Sequence, residues 1–388
     1  MKKSLKFASL LMAVSMVAAS LSGCGAGAAS SGSDTFKVGG IGPITGAAAI
    51  YGQAVMNGAQ IAVDEINAAG GINGYKIEFS FEDDEHNPEK SVNAYNTLLD
   101  KKMQVLVGTV TSAPCIAVVD KANADNVFML TPSATATEAI SKDNAFRVCF
   151  SDPNQGTEAA KYIGSHSLAT KVAIIFDNSD PYSSGIKDNF VKEAANQNFE
   201  VVAQEAYTQD SNTDFSTQLQ ATVDSGADLL FLPIYYQDAS NILAQASQKE
   251  IDIAVFGCDG FDGILGLEGF DTSLAEGVLL LTPFSTSSAD EKTQAFVKAY
   301  EAKCDGLTPN QFAADAYDAV YIVKAAIEKA NLTPAASNAD ICEALKKAMT
   351  EISYTGLTGA NITWGADGEP NKDPIVVEIK NGEYVVLD

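Results

Sequence analysis

From Phe36 onward the chain alternates short apolar runs with stretches of helical periodicity, and that alternation restricts it to an α/β fold. The apolar runs are 36–41, 77–82, 105–107, 127–130, 172–176, 201–206, 229–232, 254–256 and 278–281. Several, such as Val172-Ala173-Ile174-Ile175-Phe176, are apolar without alternation, as expected of parallel strands covered by helices on both faces. This is more than the about five or six strands of a usual sheet, which predicts two doubly wound parallel-sheet lobes with a cleft between them. The interruption Ser151-Asp152-Pro153-Asn154 marks a boundary.

Helix ends are readable between the runs. Asn87-Pro88 forms an N-cap and first-turn pair. Val55, Ala59, Ala62, Val63 and Ile66 form a stripe stopped by Gly70-Gly71, and Phe215, Leu219 and Val223 another, stopped by Gly226. Three helical segments, about 290–303, 311–330 and 338–349, precede a strand-rich tail ending at Tyr384 to Leu387.

The first 23 residues read as an export signal: Lys2, Lys3 and Lys6 precede an apolar stretch, Phe7 to Ala19, too short to span a bilayer. It ends in Leu21-Ser22-Gly23-Cys24, which resembles the bacterial lipobox and makes Cys24 the expected lipidation site. The Gly/Ala/Ser stretch after it cannot build a core, so residues 24–35 read as a flexible tether. The expected location is extracytoplasmic, lipid-anchored to the bacterial cell membrane, with no membrane-spanning helix.

Composition removes several functions. With 25 Lys+Arg against 50 Asp+Glu the net charge is −25, which repels nucleic acid. His86 and His166 are the only histidines and Arg147 the only arginine, leaving little material for metal sites or phosphate clamps. No metal or cofactor is expected. Gly40, Gly42 and Gly46 miss the dinucleotide fingerprint by one residue, and Pro43 removes an N–H from it. Phosphate-loop, nucleophile-elbow and zinc-helix motifs are missing, and the histidines sit in acidic or helical surface contexts, so an enzyme is not expected. Asp83-Asp84-Glu85 reads as a solvated acidic turn rather than a metal cluster. Cys115, Cys149, Cys258, Cys304 and Cys342 have no paired spacing and read as buried small hydrophobes.

Small hydroxyl residues at strand-to-helix turns carry the functional signal. Gly108-Thr109-Val110-Thr111-Ser112-Ala113-Pro114 and Thr131-Pro132-Ser133-Ala134-Thr135-Ala136-Thr137 each follow a strand. In an open parallel sheet such turns face the crevice, where hydroxyls and helix N-terminal amides suit a carboxylate. Each residue alone is equally an ordinary N-cap.

These turns, with Gly42-Pro43-Ile44-Thr45-Gly46, Tyr51-Gly52 and Asp64-Glu65-Ile66-Asn67-Ala68-Ala69-Gly70-Gly71-Ile72-Asn73-Gly74, resemble the branched-chain amino-acid binding proteins of ABC importers, of the type I periplasmic binding protein family. The resemblance implies lobe 1 from 36–153 plus 284–355 and lobe 2 from 154–283 plus 356–388, joined by a multi-stranded hinge. It further implies that Ser112, Thr135 and the backbone at Ser133 hold an α-carboxylate and that Asp259 pairs with the α-ammonium. Tyr51, Tyr182, Tyr235 and, less closely matched, Phe312 would form the walls. Two departures stand out: the acid is Asp where Glu is commoner, and His86 and Thr111 occupy positions that form a disulfide in some members. The expected protein is a monomer that delivers a small amino acid, branched-chain or otherwise small and apolar, to an ABC permease. A same-fold receptor for a short-chain amide, urea or aromatic acid is the alternative, and a sensor role is not distinguished from transport.

Overall fold

The computed structural model describes residues Thr35–Leu387. The signal segment, the lipidation site Cys24 and most of the expected tether lie outside the described residues. The first half runs β1 (Thr35–Gly42), α1 (Ala49–Ala68), β2 (Lys76–Asp83), α2 (Pro88–Asp100), β3 (Val105–Gly108), α3 (Ser112–Ala124), β4 (Phe128–Thr131) and β5 (Ala145–Arg147). It continues with α4 (Asp152–Ser165), β6 (Lys171–Asp177), α5 (Pro181–Ala194), β7 (Glu200–Tyr207), α6 (Ser216–Asp224), β8 (Leu229–Leu232), α7 (Tyr236–Gln248), β9 (Ala254–Gly257) and β10 (Leu279–Thr282). Three helices follow, α8 (Glu291–Lys303), α9 (Gln311–Lys329) and α10 (Asn338–Met349), then β11 (Ile375–Lys380) and β12 (Glu383–Val386).

The strands form two sheets with the same winding. The first has the order β2-β1-β3-β4-β5, all parallel, with Val38 of β1 opposite both Phe79 and Val105. The second reads β12-β11-β10-β9-β8-β6-β7, so β7-β6-β8-β9-β10 repeats that order. In each, the strand order reverses beside the first strand, and ligands of open α/β sheets bind at the carboxyl ends of strands at such a point. The two predicted parallel lobes are therefore present, with one difference: β11 and β12 are antiparallel. Asn381 and Gly382, at φ 54° and 76°, supply the left-handed pair that a tight hairpin between them requires. β5 is three residues long, too short for its own periodicity signal.

α9 packs along α1, and α10 against α9 and β4, so the C-terminal helices accompany the first sheet. A Cβ at Gly58 would run into the Ala313 carbonyl, which is why α1 and α9 approach so closely only with glycine there. The chain passes between the sheets three times, after β5, after β10 and between α10 and β11. Where the passage after β5 meets the one between α10 and β11, Nζ of the buried Lys372 donates to Val148 O at 3.1 Å, Asp315 Oδ1 at 2.9 Å and Thr358 Oγ1 at 2.8 Å.

Most predicted caps are present: Asn87 Oδ1 accepts from Glu89 N and Lys90 N at the head of α2. The α6 stripe differs. Phe215 and Leu219 are buried, but Val223 is 48% exposed and Thr222 is buried in its place. Eight residues beyond Phe215 is about 80° round the helix, off the buried face. The acidic turn also differs from expectation, since Asp84 is fully buried and its pKa is pushed up to about 7 by desolvation. Asp83 is structural, accepting from Ile44 N at 2.9 Å and Thr45 Oγ1 at 2.5 Å. All five cysteines are buried and free.

Candidate functional site

The carboxyl ends of both sheets face one narrow cavity. Tyr51 reaches it from α1, Ser112 from the head of α3, and Ser133 and Thr135 from the turn after β4; Phe312 comes from the first turn of α9. Tyr182 at the head of α5, Tyr235 before α7 and Asp259 after β9 line it from the second sheet. All eight side chains singled out from sequence are thus brought together. Val110, Thr111 and Gly260 also line the cavity, and none of them was expected there from the sequence.

On the first side the polar atoms are neutral donors. Ser112 Oγ accepts from Ala136 N at 3.1 Å, which leaves its own O–H free to donate into the cavity. The hydroxyl of Thr135 is buried, makes no close hydrogen bond and lies near the carboxyl of Asp152. Ser133 is different: its hydroxyl donates to Val110 O at 2.8 Å and pins the two hydroxyl turns together. Such donors can solvate a carboxylate without a cationic side chain in contact with it.

The opposite side carries an acid. Asp259 is 4% exposed, and burial pushes its pKa up to about 6. Gln155 Oε1 accepts from Asp259 N at 3.1 Å, and Gln311 Nε2 donates to Asp259 O at 2.8 Å. Neither glutamine was singled out from sequence, since each lies far along the chain in a helix of another motif. Nearby Asp152 is buried with both carboxylate oxygens unpartnered, and its pKa is raised well above the usual range by desolvation.

The aromatic walls interlock across the sheets. Tyr182 and Tyr235 stack at 4.6 Å with planes 8° apart, and Tyr51 lies 4.3 Å from Phe312 and 5.6 Å from Tyr235 between ring centroids. Hydrogen bonds cross the same gap. Tyr51 Oη donates to Gly260 O and accepts from Tyr236 N at 3.1 Å, while Ile50 N donates to Tyr236 Oη at 3.2 Å. Gln311 N donates to Asp262 Oδ2 at 2.7 Å. His86, expected in a surface context, is instead half-buried between the sheets: Nδ1 lies 2.9 Å from Thr111 Oγ1, Nε2 lies 3.8 Å from Asp180 Oδ2, and its ring meets the face of Tyr235 edge-on. His86 and Thr111 are therefore direct neighbours, as two positions able to carry a disulfide must be.

Two lobes of one winding, closed by cross-lobe hydrogen bonds over a small cavity with donors on one wall and an acid on the other, define a two-lobed receptor for a small solute. The chain belongs to the periplasmic binding protein family, which its residues 35–383 match. It is 30% identical to the Leu/Ile/Val-binding protein BraC3 of Rhizobium johnstonii, over 86% of this chain and 88% of the relative. It is also 30% identical to the leucine-, isoleucine-, valine-, threonine- and alanine-binding protein of Pseudomonas aeruginosa, over 84% and 86% of the two chains. Among solved structures, the branched-chain amino acid transporter substrate-binding protein LivJ of Streptococcus pneumoniae, in complex with isoleucine, superposes with a TM-score of 0.82. That pair shares 30% identity over 91% of this chain and 99% of the other.

Proposed function

We propose that the protein captures a small apolar α-amino acid, branched-chain foremost, between its lobes and delivers it to the permease of an ABC importer, performing no chemistry on it. One observation carries the reading: the free hydroxyls of Ser112 and Thr135 and the buried carboxyl of Asp259 face each other across one cavity. A zwitterion needs donors for its carboxylate and an anion for its ammonium. The relatives' names point the same way.

In this reading the ligand docks first on the hydroxyl turns. Asp259 and Tyr235 then reach it only when the lobes close, so binding shifts the open–closed equilibrium through contacts the open form lacks. The closed form is the species a permease distinguishes. The Leu21 to Cys24 stretch supports a diacylated Cys24 that holds the body outside the membrane, tethered by residues 24–35. A monomer suffices, because both halves of the site come from one chain.

Calorimetric titration of the purified protein with leucine, isoleucine, valine, alanine, a short-chain amide, urea and benzoate tests this. A micromolar dissociation constant, about −8 kcal/mol, is expected for at least one of the amino acids. Binding of only the amide, urea or benzoate would overturn it. Replacing Cys24 with Ser should release the protein from the membrane fraction.

A further inference from the structure

Arg147, the only arginine in the chain, is fully buried behind the turn that carries Ser133 and Thr135. Its Nη1 donates to Ala134 O at 3.0 Å and to Thr135 O, and its Nη2 to Ala136 O at 3.0 Å. One guanidinium therefore collects three consecutive carbonyls. The peptides between these residues are trans, and a trans peptide sends its C=O and the following N–H to opposite sides. The N–H groups of Thr135, Ala136 and Thr137 are accordingly turned away from the guanidinium. The direction is visible at Ala136, whose N–H meets Ser112 Oγ at the cavity wall.

Charge makes the same case. A buried cation is costly unless well compensated. Arg147 has three neutral carbonyls and, in contact, a single carboxylate, Glu369 Oε1 at 3.1 Å, from within the passage between α10 and β11 and 35% exposed; Asp152, whose N–H donates to Thr135 O, is also near, but desolvation favours its neutral form. Positive potential is left over behind the hydroxyl turn, and each captured carbonyl polarises its peptide so that the N–H donates more strongly.

Resting on the amino-acid reading above, we infer that Arg147 is a positioning residue that confers the site's preference for a carboxylate over an uncharged group, acting through the 134–136 backbone without touching the ligand. Sequence composition alone pointed only to hydroxyls and amides for this role; the structure adds the cation that orients and charges them.

The test compares L-isoleucine with L-isoleucinamide, which differ only at the carboxylate, on the parent protein, Arg147→Met and Arg147→Lys. Arg147→Lys keeps the charge but not the fork, and serves should Arg147→Met not fold. Calorimetry, with competition at millimolar amide, is expected to show isoleucine affinity falling at least tenfold in Arg147→Lys and further in Arg147→Met. Amide affinity should change less than threefold, so that the preference for the acid collapses. Isoleucine and the amide weakening by one common factor, or neither weakening, would overturn the role of Arg147 and leave the amino-acid reading standing. A parent protein that takes up no α-amino acid would instead overturn that reading, and this inference with it.

Discussion

The phenol of Tyr182 donates a 2.7 Å hydrogen bond to Oδ1 of Asp259 and accepts a 3.0 Å bond from the amide of Gly260. The acid's side chain is thereby locked from its own lobe, 77 residues away in sequence, before any ligand arrives. One carboxylate oxygen is committed to the phenol, which in the proposed reading leaves the other for the ligand's ammonium.

Replacing Asp259 with Asn keeps the shape and removes the charge. Truncating one partner of a buried charge pair costs roughly 2–5 kcal/mol, so amino-acid affinity should fall by at least about 30-fold. Calorimetry against L-isoleucine reads this directly, and an unchanged constant would remove Asp259 from the site.

The pH dependence of binding follows from the same carboxyl. Burial raises its pKa to about 6 in the ligand-free protein, and only the ionised form pairs with an ammonium. Affinity should be flat above about pH 7 and weaken about tenfold for each pH unit below 6. The sign for stability is opposite. A carboxyl whose folded pKa lies above its unfolded value of 3.8 binds protons more readily when folded, so its contribution to the stability of the ligand-free protein grows as pH falls from above 6 toward 4. A pH series of titrations and melting curves separates the two effects.

Tyr51→Phe keeps the aromatic wall and removes the hydroxyl that bridges Gly260 O and Tyr236 N across the lobes. Leaving buried backbone groups unsatisfied costs about 1–3 kcal/mol, all of it in the closed form. Ligand dissociation should accelerate by roughly 5- to 150-fold. Stopped-flow displacement measures this, and small-angle scattering should show a larger radius for the unliganded variant.

Lys372→Met leaves Asp315 buried and unpaired where the passage after β5 meets the one between α10 and β11. Breaking such a pair from one side costs about 3–5 kcal/mol, while removing both charges is far milder. Thermal denaturation of Lys372→Met should show a large loss that Lys372→Met with Asp315→Leu recovers in good part. Equal losses in the single and double variants would mean the ion pair is not what holds this junction.

Much of the fold is written locally. Unalternating runs such as Val172 to Phe176 suit strands buried on both faces, and Asn87-Pro88 suits a helix start, because near neighbours decide both. What escaped detection depends on partners: the strand β5, and the sheet to which the strand-rich tail belongs. Ala145–Arg147 is a strand because β4 is beside it, and Ile375–Lys380 joins the second sheet against β10 with residue 279 opposite 378.

The site divides along the same line. The hydroxyl turns were legible because their place at the crevice follows from chain order and sheet winding, whereas the tyrosines, Phe312 and the acid were marked only by the family resemblance. Which hydroxyls are free was not. Ser133 spends its own on Val110 O while that of Thr135 stays unpaired, a difference set by how two turns pack. Sequence likewise placed His86 at the surface and left Arg147 without a role. The lobes bury one between them and put the other behind the hydroxyl turn, because burial and charge compensation depend on residues distant along the chain that only the folded lobes bring into contact.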